Sequence, residues 1–248
     1  MSIPKVIHYC WFGNNPLPND VKKCIKSWEK YCPDYEIKRW DEHNFDVYQN
    51  EFIKSAYDAK AWAFVSDYAR LKIIYDEGGI YLDTDVELQK NLDGLRKNDG
   101  FFAIQQEGHY CATGLGFGAK KENEIVKSML EMYNDLIYSE ENKYTIVCPY
   151  LNTKALEKYG YTYSDDVKVI HNNLVLPPKF MDPIAPGKNK KNLFCDDTVS
   201  IHHYSASWMD AKTVRRRKIM RIIGQEKINK LKEIIKNKYN KNIKKALI

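Results

Sequence analysis

Short apolar runs and helically spaced apolar residues follow one another along the first forty residues of the chain. The apolar run at 6–12 predicts a buried first strand, and the alternation of apolar and polar residues at 35–40 predicts a second. Between them, Asn19 or Asp20 is expected to cap a helix that continues to about Tyr31. Strand, helix and strand in this order begin an α/β pattern.

The clearest helical pattern covers residues 60–77, where apolar side chains recur at every third or fourth position and Gly78-Gly79 ends the helix. The apolar tripeptide Ile80-Tyr81-Leu82 then predicts a short strand. Further along, the pattern predicts a helix at 122–138 and strands at 101–104, 167–170, 174–176 and 198–203. Strands separated by helices predict an α/β fold.

The composition argues against several classes of protein. Aromatic residues make up 13% of the 248 residues, which is too many for a disordered chain. No apolar run approaches the roughly 18 residues of a membrane-spanning helix, and the first residues lack the pattern of a signal peptide, so we expect a cytoplasmic protein. The six cysteines form no Cys-x-x-Cys pair and are interpreted as free thiols rather than as zinc ligands or a disulfide framework.

Charge is distributed unevenly along the chain. Residues 215–248 carry thirteen Lys or Arg and two acidic residues, whereas residues 1–214 carry 26 basic and 31 acidic residues. We therefore expect a mildly acidic domain at 1–214 and a basic, amphipathic helical tail at 215–248. Such a helix favours contact with anionic lipid, and packing against the domain or a partner is the alternative. Nucleic-acid binding is disfavoured because the domain is acidic.

Two acidic residues directly follow the strand predicted at 80–82. Asp83 and Asp85 are two positions apart, so their carboxylates project to the same side of an extended chain. Paired oxygen ligands suit a hard divalent cation such as Mn²⁺ or Mg²⁺, and ligands of open α/β sheets bind at strand ends. A solvated acidic turn is the alternative, but the position after a buried strand and a glycine pair favours a metal site.

A charged pair lies on the helix predicted at 60–77. Asp67 and Arg70 are three residues apart and therefore share one face of that helix. The half-buried face favours a structural ion pair over a ligand site when the pair is taken alone. In the ligand interpretation, the arginine would hold a phosphate and the aspartate would accept hydrogen bonds from hydroxyl groups.

Aromatic residues and histidines end two other predicted strands. Trp11 lies next to Gly13, where an indole could stack on a nucleotide base or fill the core. His202 and His203 end the last strand, and a neutral imidazole could complete the coordination shell of a metal held by the aspartates. Since successive residues of a strand face opposite sides, only one of the two histidines is expected to face the site.

Four blocks of the sequence together resemble glycosyltransferase family 32, the DXD-motif sugar transferases that include many capsule and lipopolysaccharide enzymes. The blocks are IPKVIH…WFG at 3–13, Ser66-Asp67-x-x-Arg70, GGIYLDTD at 78–85, and HHYSASW at 202–208. Their order and spacing over residues 3–208 are much more specific than any single block.

The resemblance implies a single GT-A catalytic domain, a nucleotide-sugar donor and a Mn²⁺ or Mg²⁺ ion. It also implies transfer of a hexose with retention of configuration to a glycan or lipid-linked acceptor, in surface polysaccharide synthesis. A UDP-sugar is the first expectation for the donor, and GDP-mannose is the second. No nucleophilic carboxylate of the hydrolase kind can be assigned. Together with the basic tail, a lipid-linked acceptor implies peripheral contact with the inner face of the membrane.

The resemblance also implies which residues contact the donor. Trp11 would stack on the base, and Asp67 and Arg70 would hold the donor sugar and its phosphate side. Ser207 and Trp208 would lie over the pyrophosphate.

The same resemblance assigns the metal site. Asp83 and Asp85 would bind metal and ribose, with Asp85 the more direct metal ligand, and His202 would be a further ligand, with His203 the alternative. The residues expected to act in catalysis are Asp67, Arg70 and Asp85.

One block departs from the family, and two other functions stay open. Such enzymes often place an Asn in the loop after the strand that follows the DXD motif, but the loop at 111–116 has none, so its sugar or acceptor contact is expected to differ. A non-catalytic sugar-nucleotide-binding subunit is one alternative. The other is a phosphoesterase that uses Asp83 and Asp85, although the further acidic clusters of two-metal sites are missing.

Overall fold

The computed structural model describes residues 2–187 and 190–205. Helices and strands are interspersed along these residues, which confirms the α/β class predicted from the sequence. The helices are α1 (Asn19–Tyr31), α2 (Glu51–Asp58), α3 (Trp62–Glu77), α4 (Glu124–Glu131) and α5 (Cys148–Glu157), with a 3₁₀ helix at Asp93–Lys97. The strands are β1 (Val6–Cys10), β2 (Glu36–Trp40), β3 (Gly79–Tyr81), β4 (Val86–Leu88), β5 (Gly100–Ala103), β6 (Phe117–Ala119), β7 (Lys168–Ile170), β8 (Asn173–Leu176) and β9 (Ser200–His202).

Seven strands form the main sheet, in the order β2-β1-β3-β6-β5-β8-β7. β1 is parallel to β2 and to β3, and β5 is parallel to β8, while β6 is antiparallel to both of its neighbours. Five strands therefore run in one direction and end at one edge of the sheet, which we call the carboxyl edge. Ligands of open α/β sheets bind at such an edge.

Both faces of the main sheet are covered. Tyr81 packs with α2, α3, α4 and α5 on one face, and its neighbour Ile80 packs with α1 and the small β4-β9 sheet on the other. Such alternation follows from the two-residue repeat of a strand. On the second face, the fully buried Trp28 of α1 donates a hydrogen bond from its indole nitrogen to the carbonyl of Val86 (2.8 Å), which fixes the start of β4.

Two helix boundaries differ from the predictions. Helix α1 begins at Asn19, and Pro18 occupies the N-cap position in an extended conformation without a side-chain cap, so the prediction that Asn19 or Asp20 caps this helix is wrong. Helix α4 ends at Glu131 rather than at 138, because the chain turns there and buries Tyr133 edge-on against Phe52, with ring centres 4.7 Å apart.

The sequence also led to expectations about membrane-spanning helices and about the end of the domain. Among the described residues, none of the helices combines the length and the apolar character that crossing a bilayer requires. The first compact unit of the chain ends at Tyr204. The predicted boundary at 214 and the predicted helical tail at 215–248 lie outside the described residues.

Candidate active site at the carboxyl edge

Asp83 and Asp85 lie in a tight turn between β3 and β4. The backbone N–H of Val86 donates to the carbonyl of Asp83 (3.0 Å), and the N–H of Asp83 donates to the carbonyl of Gly114 (3.3 Å). The Tyr81 hydroxyl donates to Oδ1 of Asp83 (2.9 Å). These bonds hold the turn at the carboxyl edge, where five strands end.

The loop at 111–116 reaches this turn through a glycine. A Cβ at Gly114 would lie 2.3 Å from Oδ2 of Asp83 and 2.9 Å from Nη1 of Arg70, closer than side chains tolerate. The loop at 111–116, which lacks the Asn that related enzymes often place there, therefore contacts the site with its backbone. Its Thr113 is fully buried and faces away from solvent.

Arg70 connects Asp67 to the DXD turn. Its Nη2 lies 2.8 Å from Oδ1 of Asp67 and 3.4 Å from Oδ1 of Asp83, and its Nε donates to the carbonyl of Ser66 (3.0 Å). The guanidinium also lies 5.0 Å from the centre of the Tyr81 ring. Only 5% of the Arg70 side chain is exposed, so its charge is buried and is compensated by two carboxylates.

The carboxylates of this site are desolvated. Burial raises the pKa of Asp67 to about 6, although Arg70 opposes the shift, and burial also raises the pKa of Asp83 against the same arginine. Burial raises the pKa of Cys148 to about 12, so this residue remains a thiol, and it hydrogen-bonds Asp67. The site thus gathers more negative charge than Arg70 alone compensates, and an added cation would be stabilised there.

His202 enters the site from the other end of the described chain. Strand β9 pairs antiparallel with β4, which places His202 opposite Val86 and its Nε2 3.0 Å from Oδ1 of Asp85. Burial alone would lower the pKa of His202, but the neighbouring Asp85 carboxylate raises it above its ordinary value. One ligand atom each from Asp83, Asp85 and His202 lie within 4.8 Å of one another.

His203 lies on the opposite side of the strand. Its Nε2 is 2.8 Å from a carboxylate oxygen of Glu87, 43% of its side chain is exposed, and its backbone N–H donates to the carbonyl of Asp85 (2.9 Å). The alternation expected from the sequence thus separates the two histidines and places His202 with the aspartates.

The donor set suits a divalent cation. Two carboxylates and one imidazole are ligands that Mn²⁺ accepts, and Mg²⁺ is compatible with the oxygen donors. In addition, the buried Nδ1 of His202 has no hydrogen-bond partner among the described residues, whereas buried polar atoms are normally paired. The three residues therefore fit a metal ion of this class.

Of the three other residues expected to contact the nucleotide-sugar donor, Trp11 lies within the described residues. Trp11 follows β1 at the carboxyl edge and is partly buried, and its indole nitrogen donates to the carbonyl of Asn15 (2.6 Å). This bond fixes the indole against the loop after β1. Ser207 and Trp208, expected over the pyrophosphate, lie outside the described residues.

A buried polar group behind Asp67 was not predicted from the sequence. Asn152 of α5 donates from Nδ2 to the hydroxyl of Thr113 (3.0 Å) and to the sulfur of Cys148 (3.1 Å). Since Cys148 contacts Asp67, α5 supports the side of the site that contains Asp67. The apolar repeat of α5 is too weak to predict the helix from the sequence. The polar character of Asn152 and Thr113 was therefore the one signal that the sequence offered for these residues.

Comparisons with known proteins find similarity to glycosyltransferases. Residues 18–102 match the protein family described as "Glycosyltransferase sugar-binding region containing DXD motif". The chain is 31% identical over 146 residues to the "Uncharacterized glycosyltransferase L373" of Acanthamoeba polyphaga mimivirus, covering 56% of this chain and 51% of that protein. It is 34% identical over 98 residues to inositol phosphoceramide mannosyltransferase 3 of Schizosaccharomyces pombe, covering 38% of this chain and 27% of that protein.

The fold also has a solved counterpart. The structure of the PaToxG glycosyltransferase matches with a TM-score of 0.50 at 19% identity, covering 63% of this chain and 69% of that one. At this identity the likeness concerns the fold alone. The chain spans about half the length of the viral relative and about a quarter of the yeast one. These matches support the resemblance found in the sequence: residues 18–102 are similar to the DXD-motif glycosyltransferase region, the fold is consistent with GT-A, and glycosyltransferase family 32 is consistent with both.

Proposed function

We propose that the protein is a retaining, metal-dependent hexosyltransferase. It would take its hexose from a nucleotide sugar, a UDP-sugar before GDP-mannose, and transfer it to a glycan or lipid-linked acceptor. The observation that carries this proposal is the group formed by Asp83, Asp85 and His202 beside the buried pair of Asp67 and Arg70. A cation site next to a buried arginine suits a sugar diphosphate, which carries charge at one end and hydroxyls at the other.

The residues of the site would act on different parts of the donor. A bound Mn²⁺ or Mg²⁺ supplies a Lewis acid that stabilises the charge of the diphosphate leaving group. Arg70 is held rigidly by Asp67 and Asp83, so its remaining N–H groups can bind phosphate oxygen without reorganisation. Asp67 would accept hydrogen bonds from hydroxyls of the sugar, and Trp11 would stack on the base.

Two observations support an acceptor at a membrane surface. The yeast relative carries the name of a ceramide-containing lipid, inositol phosphoceramide. Residues 215–248 carry thirteen basic and two acidic residues with helically spaced apolar positions, which suits anionic headgroups. We therefore propose that the protein works as a peripheral protein at the cytoplasmic face of a membrane, in surface polysaccharide synthesis.

Thermal unfolding of the full chain tests the proposed site. We expect either UDP or GDP to raise the unfolding midpoint only in the presence of Mn²⁺, because a ligand at 100 times its dissociation constant adds about 2.7 kcal/mol. The shift should vanish in Asp85→Ala and persist in Asp76→Ala, which removes an exposed carboxylate of α3 paired with Lys72. No shift with either nucleotide would contradict the proposal.

A second measurement separates catalysis from mere binding. With the nucleotide identified, its hexose derivatives are incubated with protein and Mn²⁺, and release of the nucleoside diphosphate is followed. Slow Mn²⁺-dependent release that Asp85→Ala abolishes supports a transferase. Binding without release of the diphosphate from any of these donors would favour a non-catalytic subunit.

The membrane proposal needs its own test on the full chain. Arg215, Arg216, Arg217 and Lys218 are replaced together by Gln, and cosedimentation with vesicles containing phosphatidylserine is measured. We expect binding to fall, since each basic residue near such a surface contributes about 1 kcal/mol. The matched control replaces four exposed basic residues of α1 by Gln and should bind as before; these are Lys22, Lys23, Lys26 and Lys30. Equal binding by both variants would refute the proposal.

A further inference from the structure

Asp182 is a buried carboxylate beside the metal group that the proposed function does not use. Its side chain is 1% exposed, and it belongs to the segment that follows β8 at the carboxyl edge. Oδ2 accepts a hydrogen bond from the backbone N–H of Gln106 (2.7 Å), and Oδ1 accepts one from the hydroxyl of Tyr204 (2.8 Å). Burial of a carboxylate costs free energy of folding, which suggests that Asp182 has a function at this position.

The segment that carries Asp182 is firmly attached to β9 and to the loop after β5. The backbone N–H of Val199 donates to the carbonyl of Phe180 (2.8 Å), and the side-chain amide of Gln106 donates to the carbonyl of Asp182 (2.9 Å). Asp182 is therefore a fixed anchor, held by the elements on either side of it.

Tyr204 lies between this anchor and the candidate ligand His202. Its ring meets the imidazole edge to face, with ring centres 4.2 Å apart and planes at 86°. Its backbone has a φ of 51°, in the left-handed region that non-glycine residues rarely adopt. The hydroxyl bond to Asp182 holds the tyrosine ring against the histidine, and a backbone of this kind persists only where such contacts maintain it.

An imidazole needs such support at a metal site. Rotation about its second side-chain torsion is soft, and metal-binding histidines are usually oriented by a hydrogen bond from the nitrogen that does not bind the metal. In His202, Nε2 lies beside Asp85 and the buried Nδ1 has no hydrogen-bond partner among the described residues. Apart from the approach of Nε2 to Asp85, packing against Tyr204 is the contact among the described residues that fixes the plane of the ring.

We propose that Asp182 and Tyr204 are positioning residues of the metal site. The Asp182 carboxylate fixes the ring of Tyr204, and that ring fixes the imidazole of His202 toward Asp83 and Asp85. Asp182 does not belong to the group of described residues whose ligand atoms lie within 4.8 Å of one another, so it acts through the tyrosine rather than as a ligand. The inference rests on the proposed metal site.

The test measures Mn²⁺ affinity of the full chain without nucleotide, from the electron paramagnetic resonance signal of free Mn²⁺ during a titration. We expect Tyr204→Phe to weaken the affinity about tenfold, as is typical when a group supporting a metal ligand is lost. The matched control is Tyr35→Phe, which removes a buried tyrosine hydroxyl bonded to Asp93 at the same 2.8 Å, and it should leave the affinity unchanged.

A double-mutant cycle adds a measurement that general destabilisation would not reproduce. If Asp182 acts through the tyrosine hydroxyl, Asp182→Ala should weaken Mn²⁺ binding little further in the Tyr204→Phe background. Equal affinities of Tyr204→Phe and the wild type would overturn this inference alone. Absence of Mn²⁺ binding by the wild type would overturn the proposed metal site as well, so the two failures are distinguishable.

Discussion

His8 in the middle of β1 and His202 at the end of β9 are both largely withdrawn from solvent, but their surroundings differ in kind. His8 has both ring nitrogens paired, since the Trp40 indole donates to Nδ1 (3.0 Å) and Nε2 lies 3.0 Å from the carbonyl of Gly78, to which it donates. His202 has one nitrogen beside Asp85 and the other without a partner among the described residues. Completed hydrogen bonding marks a structural histidine, whereas an incomplete set beside carboxylates marks a candidate ligand.

The electrostatics of the two histidines diverge in the same way. Burial lowers the pKa of His8 to about 4, so the ring is neutral at neutral pH. The Asp85 carboxylate raises the pKa of His202 despite its burial. Burial alone therefore does not distinguish a candidate metal ligand from a structural histidine; the unpaired nitrogen and the charge of the neighbouring residues do.

The largest expected effect comes from exchanging each histidine for glutamine. His202→Gln should weaken Mn²⁺ binding by at least about a hundredfold, the upper end of what loss of a supporting group costs, with little change in the unfolding midpoint. His8→Gln should instead lower the stability by about 2 kcal/mol and leave the Mn²⁺ affinity unchanged, because two buried bonds are disturbed away from the site. Titration with Mn²⁺ measures the affinity of each variant, and denaturant unfolding measures its stability. Loss of Mn²⁺ affinity in His8→Gln together with loss of stability in His202→Gln would contradict the comparison.

A glycine substitution tests how tightly His8 is enclosed. Gly79 has a φ of 102°, and a Cβ there would lie 2.6 Å from Nε2 of His8 and 3.0 Å from the carbonyl oxygen of Val6. Gly79→Ala should therefore lower the free energy of unfolding by about 2–3 kcal/mol in urea titrations. Gly94→Ala is the control, since a Cβ at Gly94 meets nothing within 4 Å. Equal stabilities of the two variants would show that the enclosure of His8 is loose.

The pH dependence of stability should be the smallest effect. Because the folded pKa of His8 lies below the value of about 6.5 in the unfolded chain, the unfolded state binds more protons, and stability falls as pH decreases from about 6.5 to 4. Between pH 6.5 and 5 this amounts to about 2 kcal/mol at most. His202 has a raised pKa, so in metal-free protein its contribution is present below pH 6.5 and is lost as pH rises above it. Chemical unfolding at several pH values should show a shallower acid slope in His8→Gln; an unchanged slope would count against the assignment.

Parts of the fold with a strong local pattern could be predicted from the sequence. Helix α3 spans Trp62–Glu77 against a predicted 60–77, because its apolar repeat is regular and glycines end it. Helix α5 and strand β6 were missed, since α5 opens with Cys148-Pro149 and has a weak repeat, while β6 comprises only Phe117–Ala119. These two elements are stabilised by tertiary packing, which cannot be predicted from the local pattern of apolar and polar residues.

The candidate site was predictable to the extent that it lies on such elements. The positions of Asp67 and Arg70 on one helix face, and of Asp83 and Asp85 at a strand end, follow from local geometry. The resemblance favoured His202 over His203, but local geometry could not decide which of them faces the aspartates, because that depends on the register of β9 against β4. Asp182 gave no signal at all, since its role arises only from contacts between distant segments.

The pairing of β9 with β4 has a consequence for the order of synthesis. Asp83 and Asp85 leave the ribosome early, and all seven strands of the main sheet are complete at Leu176, well before His202 is made. A nascent chain can thus assemble its main sheet while it still lacks His202, the third candidate ligand. Under the proposed function, a cation would then stabilise the chain that includes His202 over its shorter precursors, because only that chain presents all three candidate ligands.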